Sequence, residues 1–221
     1  MVFKYYLICM ALFCAAVLSI NACKRLKAVR PGHVIILNGP SAVGKSTAIK
    51  AFQGLRPDVW LGIGIDNFFV GVLPSEFYLK DTPEFDKIMR GVATEDAEGK
   101  LFTLQVRENG QKVIAGMHEA IAAYARAGNN VIVDYIMYCP EWRSALLNAL
   151  KGIPVTTVGV TASLKTIQQR ESSRKTSPEG HARSIYESVH VGWAYDLYID
   201  TDNKTPQEVA GLINQVLLTA Q

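Results

Sequence analysis

The sequence predicts an α/β fold: a parallel sheet of about five strands with helices on both faces. Two observations predict it. Short, β-branched apolar runs alternate with longer amphipathic stretches from residue 33 to residue 218, which is how strand–helix–strand units read in a sequence. The first of those runs leads through a glycine-bearing turn straight into a helical stretch.

The elements follow in order. Residues 33–38 (HVIILN) are a buried strand, and residues 45–55 a helix. Residues 60–65 read as the second strand. Residues 66–110 carry mixed signals. There Glu76, Asp81, Glu84 and Asp86 mark exposed surface and residues 94–99 a loop. A long amphipathic helix over residues 112–126 stops at Gly128-Asn129-Asn130. Residues 131–134 are a third strand, 141–150 a helix, 155–160 a fourth strand and 164–173 a helix. Residues 174–182 are polar and irregular, and 184–190 are helical. Residues 197–200 make a fifth strand. A final helix spans 206–218, with Thr205 as its N-cap and Pro206 in its first turn.

Composition narrows the function. With 221 residues, 49% hydrophobic and 19% charged, the chain is neither disordered nor collagen-like, and it can bury a core without a staple. Five of the 23 Lys and Arg lie in residues 1–30, where there is no acid. Residues 31–221 therefore set 18 cations against all 20 Asp and Glu, a slightly acidic balance that disfavours a binder of nucleic-acid backbone. Cys9, Cys14 and Cys23 lie in the first thirty residues and Cys139 alone in the body. No intradomain disulfide and no C-x-x-C zinc pair follows. Cys139 has no activating neighbour in sequence and reads as inert.

Gly39-Pro40-Ser41-Ala42-Val43-Gly44-Lys45-Ser46, followed by Thr47, satisfies the G-x-x-x-x-G-K-[ST] pattern in full, with a strand before it and a helix after. The glycines permit the tight turn that aims consecutive N–H groups at a phosphate, and the helix adds its positive dipole end. Lys45 is expected on the β- and γ-phosphates and the Ser46 hydroxyl on Mg²⁺. This makes the predicted sheet one of the P-loop NTPase type.

The strand ends indicate what receives the phosphate, since ligands of open parallel sheets sit at the carboxyl ends of strands. Asp66 ends the second strand and could accept the proton of an attacking hydroxyl, or could cap the segment that follows. Asp134 ends the third strand, at the acidic position that holds Mg²⁺, or is a strand-end turn residue. No Asn-Lys-x-Asp guanine-reading motif is present, which argues against a GTPase. Arg170, Arg174 and Lys175 lead into a polar loop. They could fold over ATP as a lid and neutralise the transferring phosphoryl, or form a solvated helix face.

These residues resemble the chloramphenicol phosphotransferase-like P-loop kinases over about residues 33–215. Residues 34–41 with Gly44-Lys45-Ser46 are similar to the family's opening strand and P-loop. Gly64-Ile65-Asp66-Asn67-Phe68 is similar to its second-strand motif, and residues 128–134 to its acidic third strand. Arg170-Glu171 with Arg174 resembles its lid helix, and Val189-His190 with residues 195–201 its C-terminal signature. The chain departs from that pattern at Lys175-Thr176-Ser177, where the family carries a second lid arginine. It departs again at Tyr135, where a second acid is common, and across residues 67–110.

The resemblance implies ATP-dependent phosphorylation of an alcohol on a small molecule, with Asp66 as base. Lys45, Mg²⁺ on Ser46 and Asp134, and Arg170 or Arg174 would stabilise the phosphoryl group. Phe68, Phe69, Phe77 and Tyr78 are candidates for an acceptor pocket, or plain core. His190 reads as a structural histidine with its hydrogen bonds satisfied. Open alternatives are a P-loop kinase for a sugar, a nucleoside or a nucleotide-sugar, and a membrane-tethered nucleotide-binding module without transfer activity.

Residues 31–221 are thus read as the kinase domain and residues 1–30 as a hydrophobic segment with a basic flank. Residues 5–22 are apolar except for Ser19 and Asn21, and Lys24, Arg25, Lys27 and Arg30 follow. The segment can be a cleaved signal peptide, a lipoprotein signal ending at Cys23, or an uncleaved anchor. The charge after the run places the following domain in the cytoplasm. A kinase needs cytosolic nucleotide, which favours the membrane-associated anchor over export after cleavage.

Overall fold

A computed structural model of the chain describes residues 29–77, 82–174 and 178–219. Residues 1–28, on which the signal or anchor expectation falls, lie outside the described residues. Among the described residues no helix is long and apolar enough to cross a membrane.

Five parallel strands form the main sheet: β1 (Val34–Asn38), β2 (Trp60–Gly64), β5 (Asn130–Tyr135), β6 (Val155–Thr161) and β7 (Leu197–Asp200), in the order β2-β5-β1-β6-β7. The strand period of two explains its faces. Val34 and Ile36 of β1 point into one apolar layer, Ile35 and Leu37 into the other, and all four are 0% exposed. In β5, Val131, Val133 and Tyr135 join the first layer and Ile132 the second. A central strand buried on both faces reads as continuous apolar sequence.

Helices cover both layers. The first is closed by α4 (Glu108–Arg126) through Ile114, Met117 and Ile121, and by α5 (Pro140–Ala149) through Trp142 and Leu146. The second is closed by α1 (Lys45–Leu55), α6 (Leu164–Arg174) and α8 (Pro206–Thr219) through Phe52, Ile167 and Ile213. Two short helices, α2 (Ile65–Phe69) and α3 (Phe85–Ile88), follow β2. A third, α7 (His181–Ser184), follows α6. Residues 184–190, expected to be helical, are instead the end of α7 and a 3-10 turn at Ser188–His190.

Residues 89–106 depart most from expectation. They form an antiparallel hairpin, β3 (Met89–Asp96) and β4 (Gly99–Val106), where residues 94–99 read as a loop. Most of β3 is exposed, so it lacks the apolar alternation that announces a strand. Distant partners hold the hairpin. Arg183 of α7 donates to both Asp96 carboxylate oxygens at 2.7 and 2.8 Å and to the Gly99 carbonyl at 3.0 Å. The Phe102 N–H reaches the Gly180 carbonyl at 3.2 Å. A Cβ on Gly180, whose φ is +86°, would lie 2.3 Å from the Lys100 carbonyl oxygen, so only glycine fits there.

One buried pair ties α4 to the sheet. His118 is 3% exposed, and its Nε2 lies 2.9 Å from the Tyr135 hydroxyl. Burial lowers its pKa to about 4. A histidine depressed in the folded state stabilises fully above its ordinary value of about 6.5, and that contribution is lost as pH falls toward the folded value. We expect His118→Gln, which can still bond Tyr135, to flatten the stability loss between about pH 6.5 and 4 by up to about 3 kcal/mol. Urea unfolding of both proteins across that range checks this; equal slopes would count against it.

Candidate active site

β1 ends at Asn38, and residues 39–44 turn over its carboxyl end into α1. Gly39 is forced by space, because a Cβ there would lie 2.1 Å from the Val160 carbonyl oxygen. Ala42 and Gly44 sit in the left-handed region at φ 59° and 103°. No side chain caps α1, so its first amides remain turned to the loop. The Val43 side chain is core, while its carbonyl accepts from the Thr201 hydroxyl at 2.9 Å. Thr47 is exposed on the first turn of α1.

Lys45 lies inside this loop at 5% exposure. Its ammonium donates to the Gly39 and Pro40 carbonyls, both at 2.8 Å, and stands 3.5 Å from Asp134 Oδ1. Burial pulls its pKa down, and Asp134 opposes that shift. The second Asp134 oxygen, Oδ2, accepts from the Ser46 hydroxyl at 2.5 Å. Asp134 reaches both because it pairs with Leu37 of β1 on one side and Gly64 of β2 on the other. The structure thus joins Lys45, Ser46 and Asp134.

Asp66 stands in the first turn of α2, two residues past β2. It is not the cap: Asn67 Oδ1 accepts from the Gly64 N–H at 2.6 Å. That leaves the Asp66 carboxyl to the site. Burial, and then the Asp134 charge, raise its pKa above the ordinary carboxylate value, with Lys45 working against them. The side chain still meets solvent at the rim of the site.

The two lid arginines separate. Arg174, exposed at the end of α6, places a positive charge that Lys45 feels. Arg170 corrects the expectation that both project as a lid. Its guanidinium donates to the Thr201 hydroxyl and carbonyl, each at 3.0 Å, and to the Val43 carbonyl at 3.3 Å. In this arrangement it braces the phosphate loop against the end of β7. Glu171 faces the other way, 4% exposed, and accepts from the Gly180 and Ala182 N–H groups at 2.9 and 2.8 Å.

The aromatic set also divides. Phe69 is 6% exposed and belongs to the core, while Phe68 and Phe77 are half-buried against it. Tyr78 lies outside the described residues, as do residues 175–177. His190 corrects another expectation. Its Nδ1 lies 2.9 Å from the Tyr195 hydroxyl, but its Nε2 is buried without a hydrogen-bond partner. The Cys139 thiol receives a long contact from Gln111 at 3.6 Å.

Sequence reasoning missed Asn38. Fully buried, it accepts from the Met137 N–H at 3.2 Å and donates to the Val189 carbonyl and the Tyr195 hydroxyl, both at 2.7 Å. It joins three chain segments beneath the phosphate loop. A buried amide directly before the motif's first glycine was the available signal.

Comparison with known proteins places the fold and the family. A Mycobacterium tuberculosis protein named as a candidate O-phosphotransferase is 31% identical over 180 residues, 81% of this chain and 79% of that one. Among solved structures, the M. tuberculosis APS kinase in complex with AMPPNP and APS covers 85% of this chain and 98% of its own at TM-score 0.57 and 14% identity. A gluconokinase from Sinorhizobium meliloti covers 87% and 99% at TM-score 0.53 and 15% identity. Both share the fold. The family model for chloramphenicol phosphotransferase-like protein matches residues 32–218, and the chain belongs to that family.

Proposed function

We propose that this protein is an ATP-dependent O-phosphotransferase that moves the γ-phosphoryl group to a hydroxyl of a small molecule, chloramphenicol being the first acceptor to test. The observation that carries this reading is the meeting of Lys45, Ser46 and Asp134 at the loop, with Asp66 free of capping duty beside them. A lone phosphate loop supports binding; the added carboxylate of raised pKa supports transfer.

The residues divide the work. Loop amides and the start of α1 hold phosphate oxygens. Lys45 compensates their negative charge from a buried position where the effect is strong. Asp66 orients the acceptor alcohol and takes its proton as the oxygen bonds phosphorus and the bond to the ADP leaving oxygen breaks. Arg174 adds charge from the lid side. Ser46 and Asp134 fit Mg²⁺, because they are adjacent hard oxygen donors at the mouth of the loop. Among the described residues no cluster of three His, Cys, Asp or Glu forms, so such an ion would complete its shell from phosphate and water. When bound it would neutralise phosphate charge.

A screen of hydroxyl compounds for acceptor-dependent ADP release tests the reading. Asp66→Asn should lower kcat by about 10²–10⁴-fold while MgADP affinity holds. Unchanged turnover in that variant would remove Asp66 as base. In the wild type, kcat/KM should fall as pH drops through an Asp66 pKa above the ordinary carboxylate value, since the base must be ionised. Asp134→Asn should raise the Mg²⁺ concentration needed for half-maximal activity by about tenfold or more, measured by titrating Mg²⁺ at fixed ATP.

A further inference from the structure

Tyr138 lies three residues past the end of β5, in the turn that enters α5. That turn leaves the carboxyl edge of the sheet next to Asp134, and Asp134 pairs in register with Gly64, two residues before Asp66. The turn that carries Tyr138 therefore starts at the corner of the sheet edge that holds both carboxylates. Their charges reach it: burial first, then Asp66 and Asp134, push the Tyr138 hydroxyl well above its ordinary pKa, which keeps it protonated.

The ring is fixed from behind. Tyr138 Oη and His181 Nε2 are 3.0 Å apart, and the two rings stack at 5.9 Å with 12° between their planes. Trp142 meets the phenol edge-on at 5.9 Å, and Phe102 of β4 meets His181 at 6.5 Å and 89°. His181 is 5% exposed and opens α7, whose leading amides are held by Glu171 of α6. A phenol offers one donor and two acceptor positions. With the proton on His181 Nε2, that nitrogen donates to the phenol oxygen and leaves the phenol O–H to donate to the oxygen of a second partner.

Resting on the phosphotransferase reading above, we infer that Tyr138 is an acceptor-binding residue. Its ring walls the acceptor site beside Asp66, and its hydroxyl holds the reacting alcohol toward that carboxylate. His181 is a positioning residue that sets the phenol.

The test uses the full-length protein, with a panel of hydroxyl compounds that includes chloramphenicol. ADP release gives acceptor KM and kcat, and calorimetry gives MgADP affinity. Tyr138→Phe keeps the ring, so it should fold and bind MgADP as the wild type does. Its kcat/KM for acceptors should fall by about 10–100-fold, the effect of one hydrogen bond in a site with charged groups. Tyr138→Ala should lose more and accept a broader range of compounds. His181→Ala should match Tyr138→Phe, and His181→Gln should recover to within about fivefold of wild type. Turnover by the wild type with unchanged acceptor kinetics in Tyr138→Phe overturns this inference and leaves the phosphotransferase reading standing. A wild type that releases no ADP with any compound overturns both. If Tyr138→Ala fails to fold, Tyr138→Phe and the His181 pair decide.

Discussion

The site depends on an ammonium buried beneath a strained turn. Taking Lys45 out of water is costly unless its three donors are satisfied. Two backbone carbonyls of its own loop and the Asp134 carboxylate satisfy it. The same contacts shape the loop, which passes through left-handed backbone at Ala42 and Gly44. The loop conformation is therefore held by contacts within the chain itself. Because Asp134 also holds Ser46, one carboxylate at one strand end coordinates the cation of the loop and the hydroxyl of the helix.

Two further ties keep that arrangement from drifting. Beneath the loop, Asn38 joins β1, the segment after β5 and residues 189–195 through hydrogen bonds shielded from water. Outside it, Arg170 and Thr201 bind the Val43 carbonyl to the end of β7. Each tie includes bonds between side chain and backbone, so it fixes chain position. The loop is thereby braced by β1, the segment after β5 and the residue after β7, and not by its own turn alone.

The hairpin and the lid helix meet at residues 178–184. Glu171 holds the amides of that segment, and Arg183 and Ser184 hold the hairpin to it, with Ser184 Oγ donating to the Phe102 carbonyl at 2.8 Å. Arg183 has a side chain only 9% exposed, and its Nη2 donates to both oxygens of Asp96, whose own side chain is 45% exposed and leaves the pair open to solvent screening. The exposed Lys100–Glu179 pair adds little by comparison. Through His181 the same segment also reaches Tyr138 in the turn after β5, so residues far apart in the chain share one mechanical support.

Local signals carried much of this protein. Apolar runs bounded by turn residues identified the five strands, most clearly β1, β5 and β6, which are buried on both faces. The complete G-x-x-x-x-G-K-S pattern placed Lys45 and Ser46, and strand-end position selected Asp66 and Asp134. Those features depend only on neighbours along the chain. Tertiary structure alone decided the hairpin, the bracing role of Arg170, the burial of Phe69 and the unmatched nitrogen of His190. In each case the deciding partner is distant in sequence: Arg183 for the hairpin, Thr201 for Arg170, the α4 and α5 layer for Phe69. A hydrogen bond or a packed layer between remote residues leaves no periodicity to read, and it exists only once the sheet has set their positions.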